Sequence, residues 1–252
     1  MATKTEKECW FRTDLPPPVT GSYEPTGTWE ETGSLRSYIT GPRDAKKAVI
    51  VVYDIFGPSS QIFQGADRIS QHFAGSLVIV PDFFKGQALR PDQMSQVRDF
   101  IAGPGDFKLN AEVLGKDVVP AVRKLFPQID EKGLGALGLC WGAKIVVLAA
   151  NADAPEFGPF GATAQAHPAG LDVEDAKKLK APHLCLASKG EDKDVVAAYA
   201  KVLAANPASL VQTYANMHHG WMGARGNLED EENRVEYEKG YRQVAEFFSK
   251  HL

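Results

Sequence analysis

Gly138-Leu139-Cys140-Trp141-Gly142 follows the apolar run Leu134 to Leu139 and precedes Ala143 to Ala150, a stretch rich in helix formers. A short apolar run, a glycine-flanked corner and then a helix is the context in which a G-x-nucleophile-x-G elbow carries meaning. The two glycines answer a steric demand. The corner residue is strained, and the positions two before and two after it pack against the turn, where a Cβ would collide. At the corner the side chain stands exposed above a sheet, and the following helix turns its positive end and free N–H groups toward it. Both features favour a thiolate over a thiol, which makes Cys140 the candidate nucleophile. Alone the pentapeptide is weak, because a lone cysteine is more often a small core residue.

The surrounding pattern gives the corner its sheet. Ala48 to Tyr53 is a continuous apolar run of strand length without alternation, as expected for a strand covered on both faces of a parallel sheet. It ends in Asp54-Ile55-Phe56-Gly57-Pro58. Ile62, Ala66, Ile69 and Phe73 then fall at helical spacing, and a second strand, Leu77 to Val80, closes at Pro81-Asp82. Further on, a short helix is expected within Pro91 to Ile101, and a longer one from Phe107 to Phe126 that Pro120 should kink or break. After the corner come strands Phe160 to Ala166, Pro182 to Ala187 and Ser209 to Tyr214. Helices are expected from Asp194 to Ala205 and from about Leu228 to His251, the acidic run Glu229 to Glu232 forming the first turn of the last. This alternation predicts one doubly wound α/β domain over residues 43–252, with helices on both faces of a mostly parallel sheet and ligands at the carboxyl ends of its strands. Residues 1–42 are dense in proline and glycine and read as a leading arm of the same domain. Within it, Thr28 to Thr32 and Leu35 to Thr40 could pair as an edge hairpin about Gly33.

Composition narrows the function classes. With 252 residues, 44% of them hydrophobic, the chain can bury a full core, and its formal charge of −4 leaves no electrostatic footprint for nucleic acid or an anionic membrane. A small-molecule substrate is the expected partner. Three cysteines (Cys9, Cys140 and Cys185) fit neither a C-x-x-C pair nor a disulfide framework, so a reducing, cytoplasmic location is expected. Met1 to Trp10 has mixed charge and no apolar core of a secretory signal. Six histidines show no ligand-spaced cluster, so no metal or other cofactor is expected. Oligomeric state stays open between monomer and homodimer.

The carboxyl ends of the predicted strands hold Asp54, Lys85, Cys140, His167, Asp192 and the pair His218-His219. Cys140, Asp192 and His219 follow in the order nucleophile, acid, histidine, 52 and 27 residues apart, which is the chain order of α/β-hydrolases. Two neighbours compete for these roles: Glu191 with Asp192, either of which could instead cap the helix beginning near Asp194, and His218 with His219. His167 reads as a strand-end or pocket-wall residue, and Cys185 as core.

From about Gly27 onward the chain resembles the dienelactone hydrolases, in particular their fungal relatives. The resemblance is carried by Asp54-Ile55-Phe56-Gly57, Val80-Pro81-Asp82-Phe83-Phe84, the Cys140 corner, Gly190-Glu191-Asp192 and His219-Gly220-Trp221. It implies a single α/β-hydrolase domain without metal or organic cofactor, hydrolysing lactones or esters through a Cys-His-Asp triad of Cys140, His219 and Asp192. The N–H groups of Ile55 and Trp141 would form the oxyanion hole, and Asp54 would activate the thiol. Arg225 would be the arginine that holds the acidic residue at Asp54, Lys85 resembles a second basic residue that receives a substrate carboxylate, and Arg225, Phe56 and Trp221 are also expected to contact substrate. The chain departs from the best-known bacterial members in three places. Asp54 stands where they have Glu, Arg225 lies six residues beyond His219, where they have a shorter gap, and Lys85 replaces an arginine, turning a bidentate grip into a point charge.

Two other functions use the same residues. One is an elimination or isomerisation on a polyketide-like or aromatic intermediate, with His219 as base and Trp141, Phe56, Phe84 and Trp221 against a planar substrate. The other is a binding protein that retains the scaffold without turnover.

Overall fold

The computed structural model of the chain describes residues 15–151, 153 and 160–252. Cys9 and the Met1–Trp10 segment lie outside the described residues. Strands β1 (Thr28–Thr32) and β2 (Leu35–Thr40) form the expected hairpin, turning through Gly33 at φ 66°. The remaining strands are β3 (Lys47–Val52), β4 (Ser76–Pro81), β5 (Leu134–Leu139), β6 (Ala162–Ala166), β7 (His183–Ser188) and β8 (Leu210–Tyr214). Together they make one eight-stranded sheet in the order β1-β2-β4-β3-β5-β6-β7-β8. Only the hairpin and its junction with β4 are antiparallel; β4 through β8 run parallel.

The apolar runs find the environment their lack of alternation calls for. Every residue of β4, β5 and β7 is buried, so both faces of the sheet centre are covered. Helices α1 (Ser60–His72) and α8 (Glu231–His251) pack on each other, as do α3 (Phe107–Val113) and α5 (Trp141–Ala149). Helices α6 (Val173–Ala176) and α7 (Lys193–Leu203) flank the β6–β8 end. At the sheet margins burial fades: Leu210 of β8 is 47% exposed and Trp29 of β1 39%.

Two helical expectations resolve into pieces. Pro91–Gln96 is a 3₁₀ segment leading into α2 (Val97–Ile101). The stretch from Phe107 is α3, then a π-turn at Leu114–Val118, then α4 (Val119–Leu125), with Pro120 in the first turn of α4. Proline lacks the N–H of the helical ladder and crowds the carbonyl four residues back, and a wider turn relieves that crowding. No helix of the described residues is long and apolar enough to cross a membrane.

Candidate active site

Strand β5 lies centrally, between β3 and β6, and ends at the corner. Cys140 takes φ 51° and ψ −110°, a conformation an L-residue adopts only when its surroundings enforce it. The enforcement is visible in the glycines. A Cβ on Gly138 would stand 2.2 Å from the carbonyl oxygen of Gly142, and one on Gly142 2.1 Å from that of Val52. Only at that closeness can the Gly142 N–H donate to Tyr53 O (3.1 Å) and pin α5 against β3. The Cys140 N–H donates to Ala166 O, and its carbonyl accepts from Ala143 and Ala169, all at 3.1 Å. Trp141 opens α5, and a first-turn N–H has no acceptor within its own helix, leaving it toward the corner.

The carboxyl ends of the neighbouring strands converge on this corner. His219, after β8, is 5% exposed; its Nδ1 lies 2.7 Å from Oε1 of Glu191, after β7. The other oxygen of Glu191 accepts the backbone N–H of Ser188, so the carboxylate is fixed at both ends. The other ring nitrogen of His219 is left free of Glu191, and the Cys140 side chain is close enough to bear on the charge of the ring. Burial disfavours an imidazolium here. The influence of Cys140 and the hydrogen bond and charge of Glu191 outweigh it, and the His219 pKa stands well above the ordinary histidine value.

Asp192 lies elsewhere. It is exposed, and its Oδ1 accepts the N–H groups of Asp194 and Val195 at 2.9 and 3.1 Å as the N-cap of α7. The carboxylate beside the histidine is therefore Glu191, and the expectation for Asp192 is corrected. The physical reason is the turn after β7: residue 191 points inward, and residue 192 begins the helix. His218 is turned away, with Nε2 3.2 Å from Arg225 O.

Asp54 is 2% exposed at the end of β3. Its Oδ1 accepts the Phe56 N–H at 3.0 Å and its Oδ2 the Ala224 N–H at 2.8 Å, tying the turn after β3 to the loop after β8. Burial raises its pKa, against those two N–H groups and the positive charges of Arg225 and His219.

A cleft beside Cys140 is lined by Leu15, Asp54, Ile55, Phe56, Met94, Ala169, His219, Gly220 and Arg225. Arg225 lies over the Phe56 ring at 5.0 Å and donates to Pro16 O. Of the expected substrate contacts, then, Phe56 and Arg225 reach the cleft and two do not. Lys85 is exposed in a left-handed turn after β4, away from the lining. Trp221 is fully buried against Tyr214, ring centroids 4.5 Å apart, because the loop after His219 folds it inward onto α8. The aromatic rings of Trp141 and Phe84 also serve the core, 4.5 Å apart, with Trp141 Nε1 donating to Gly105 O at 2.8 Å. Leu15, Met94 and Ala169 were not singled out from sequence; no pattern distinguishes them from ordinary apolar residues.

His167, after β6, is fully buried at φ 37° with neither ring nitrogen hydrogen-bonded, its ring 5.2 Å from that of His219. Burial and the positive charge of His219 hold its pKa well below the usual value, so it is neutral. Among the described residues no group of three or more His, Cys, Asp or Glu is placed to hold a metal ion.

Comparison with known proteins places this geometry in context. The family model described as the dienelactone hydrolase family matches residues 35–252. An uncharacterised AIM2 family protein of Schizosaccharomyces pombe is 34% identical over 246 residues, covering 92% of this chain and 94% of its own. A carboxymethylenebutenolidase homologue of Mus musculus is 33% identical over 62% of this chain and 61% of its own. Among solved structures, a dienelactone hydrolase from Anabaena variabilis superposes with a TM-score of 0.64 at 17% identity, covering 92% of this chain and all of that one (100%), a likeness of fold.

Proposed function

The chain belongs to the dienelactone hydrolase family and is a hydrolase of lactone or ester bonds, and from that premise we propose that it works through a Cys140–His219–Glu191 triad and an acyl-enzyme on Cys140. The observation that carries the reading is His219 held between Glu191, at 2.7 Å from Nδ1, and the strained Cys140.

The Cys140 thiolate attacks the carbonyl carbon, forming a C–S bond while the carbonyl electron pair moves onto oxygen. The N–H groups of Trp141 and Ile55 receive that negative charge. Collapse breaks the C–O bond, and the leaving oxygen takes the proton of the His219 imidazolium. Water then gives its proton to the neutral imidazole and attacks the thioester, releasing the acid and restoring thiolate and imidazolium. Glu191 keeps the proton on Nδ1 throughout, so that Nε2 exchanges protons with the reacting atoms. Asp54 acts as a positioning residue. With both oxygens bonded to backbone N–H groups, it holds the Ile55 turn against the loop that carries His219.

The test is turnover of a panel of aryl esters, thioesters and enol lactones by wild type, Cys140→Ala and His219→Ala. Loss of at least about 10³-fold in kcat/KM in both variants, with unchanged circular dichroism, is expected. Undiminished turnover in Cys140→Ala would overturn the acyl-enzyme and leave His219 as a general base that activates water directly.

A further inference from the structure

The segment Leu15-Pro16-Pro17-Pro18-Val19 runs from the cleft to the loop after β8. Leu15 contributes to the cleft lining, and Val19 is stitched to that loop by its N–H to Ala224 O at 2.8 Å. Gln61 Nε2 holds the same junction from α1, donating to Val19 O at 2.8 Å and to Gly226 O at 3.0 Å. Between the stitch and Leu15 stand three consecutive prolines, whose fixed φ makes a stiff extended rod. The rod's near end is bound by Arg225, which donates to Pro16 O while lying on Phe56. With the segment seated, the space beside Cys140 is about 30 Å³. That is room for one or two waters, whereas sites for organic ligands run to ~300–1,000 Å³.

We propose that Leu15, carried on the Pro16–Pro18 rod and latched by Arg225, is a specificity-determining wall of the active site, restricting it to compact acyl or lactone groups. The proposal rests on the reading of Cys140 as the nucleophile. A longer acyl group displaces Leu15 from the lining, and the displacement grows with the length of the group. Arg225 gives one N–H to a carbonyl of the chain itself and lies on the Phe56 ring, so it holds the arm from within the cleft lining.

Two readouts separate the wall from the chemistry. The first is alkylation of the Cys140 peptide, followed by mass spectrometry, with iodoacetamide and with iodoacetanilide, which share a reactive group and differ by a phenyl ring. The second is the ratio of kcat/KM for p-nitrophenyl hexanoate over acetate. Leu15→Ala opens the wall, Leu15→Trp fills it, and Arg225→Met removes the latch while keeping the side-chain stem. Transfer of each additional buried methylene is worth about fourfold in an equilibrium or rate ratio, so if Leu15→Ala and Arg225→Met each let between one and two further methylenes be buried, both ratios should rise by about tenfold. Leu15→Trp should lower them. Ratios within about twofold of wild type in Leu15→Ala and Arg225→Met overturn the proposal. If no ester is turned over but the alkylation ratio shifts, the wall stands and the hydrolytic reading falls. Cys140-dependent turnover with both ratios flat means the reverse.

Discussion

At Glu191 and Asp192 the chain sets two carboxylates side by side and turns them in opposite directions. One is buried on His219; the other caps a helix in solvent. Glu191→Gln keeps the shape but offers His219 an amide in place of a charge, and should lower kcat/KM by about 10²-fold or more with little change in melting temperature. Asp192→Ala should cost about 1 kcal/mol of stability, the loss of an N-cap, with kcat/KM within about threefold of wild type. The reverse pattern in a steady-state and thermal-melt comparison would restore Asp192 to the site. Burial lowers the His219 pKa, and the charge that Cys140 carries when ionised is the largest influence raising it. Removing that anion in Cys140→Ala should bring the imidazole titration, followed by NMR, to lower pH than in wild type. A curve that does not move would dissociate the two side chains.

The corner between β5 and α5 was legible because its requirement is steric and local. Gly138 and Gly142 approach backbone oxygens so closely that no other residue fits, and such a demand leaves its mark at fixed spacing in the sequence. Gly142→Ala should destabilise the protein by about 3 kcal/mol, read by urea unfolding, because a methyl group is driven onto the β3 backbone rather than onto a side chain that could turn aside. An unaffected midpoint would mean that the corner is slack. The choice between Glu191 and Asp192 was not legible, since a strand-to-helix turn suits an acid at either position and only the backbone direction selects one. The same holds for Trp221: an aromatic two residues after His219 reads as a pocket wall, yet the loop turns it into the core.

Across the whole molecule, the parallel sheet was readable from its uninterrupted apolar runs, while the breaks within Phe107–Leu125 depended on how one proline strains a packed helix. The arm at the cleft was not readable beyond its stiffness, because its contacts with Arg225 and Ala224 span some two hundred residues of chain. Burial of histidines also sets a global property. His183 lies between Thr163 Oγ1, 2.8 Å from Nδ1, and Tyr199 OH, 3.4 Å from Nε2, and burial pushes its pKa down to about 3. Unfolded histidine titrates near about 6.5, so below that pH the unfolded chain takes up a proton the native chain refuses. Stability should therefore fall as pH drops from about 6.5 toward 3, by about 1.4 kcal/mol per pH unit for His183, with His167 adding in the same direction. The raised pKa of His219 adds no slope in this window, because its contribution is complete below the unfolded value and is lost only as pH rises through the folded one. Urea midpoints at pH 7 and pH 5 should differ in wild type and differ less in His183→Gln. Equal slopes in the two proteins would place the acid sensitivity elsewhere.

The proposed chemistry is tested most directly by rapid acid quench of the enzyme mixed with an aryl acetate, followed by mapping of the acylated peptide. One acetyl group per chain, on Cys140 and absent in Cys140→Ala, is the predicted result. Steady turnover with no adduct on Cys140, or an adduct on another residue that persists in Cys140→Ala, would contradict it.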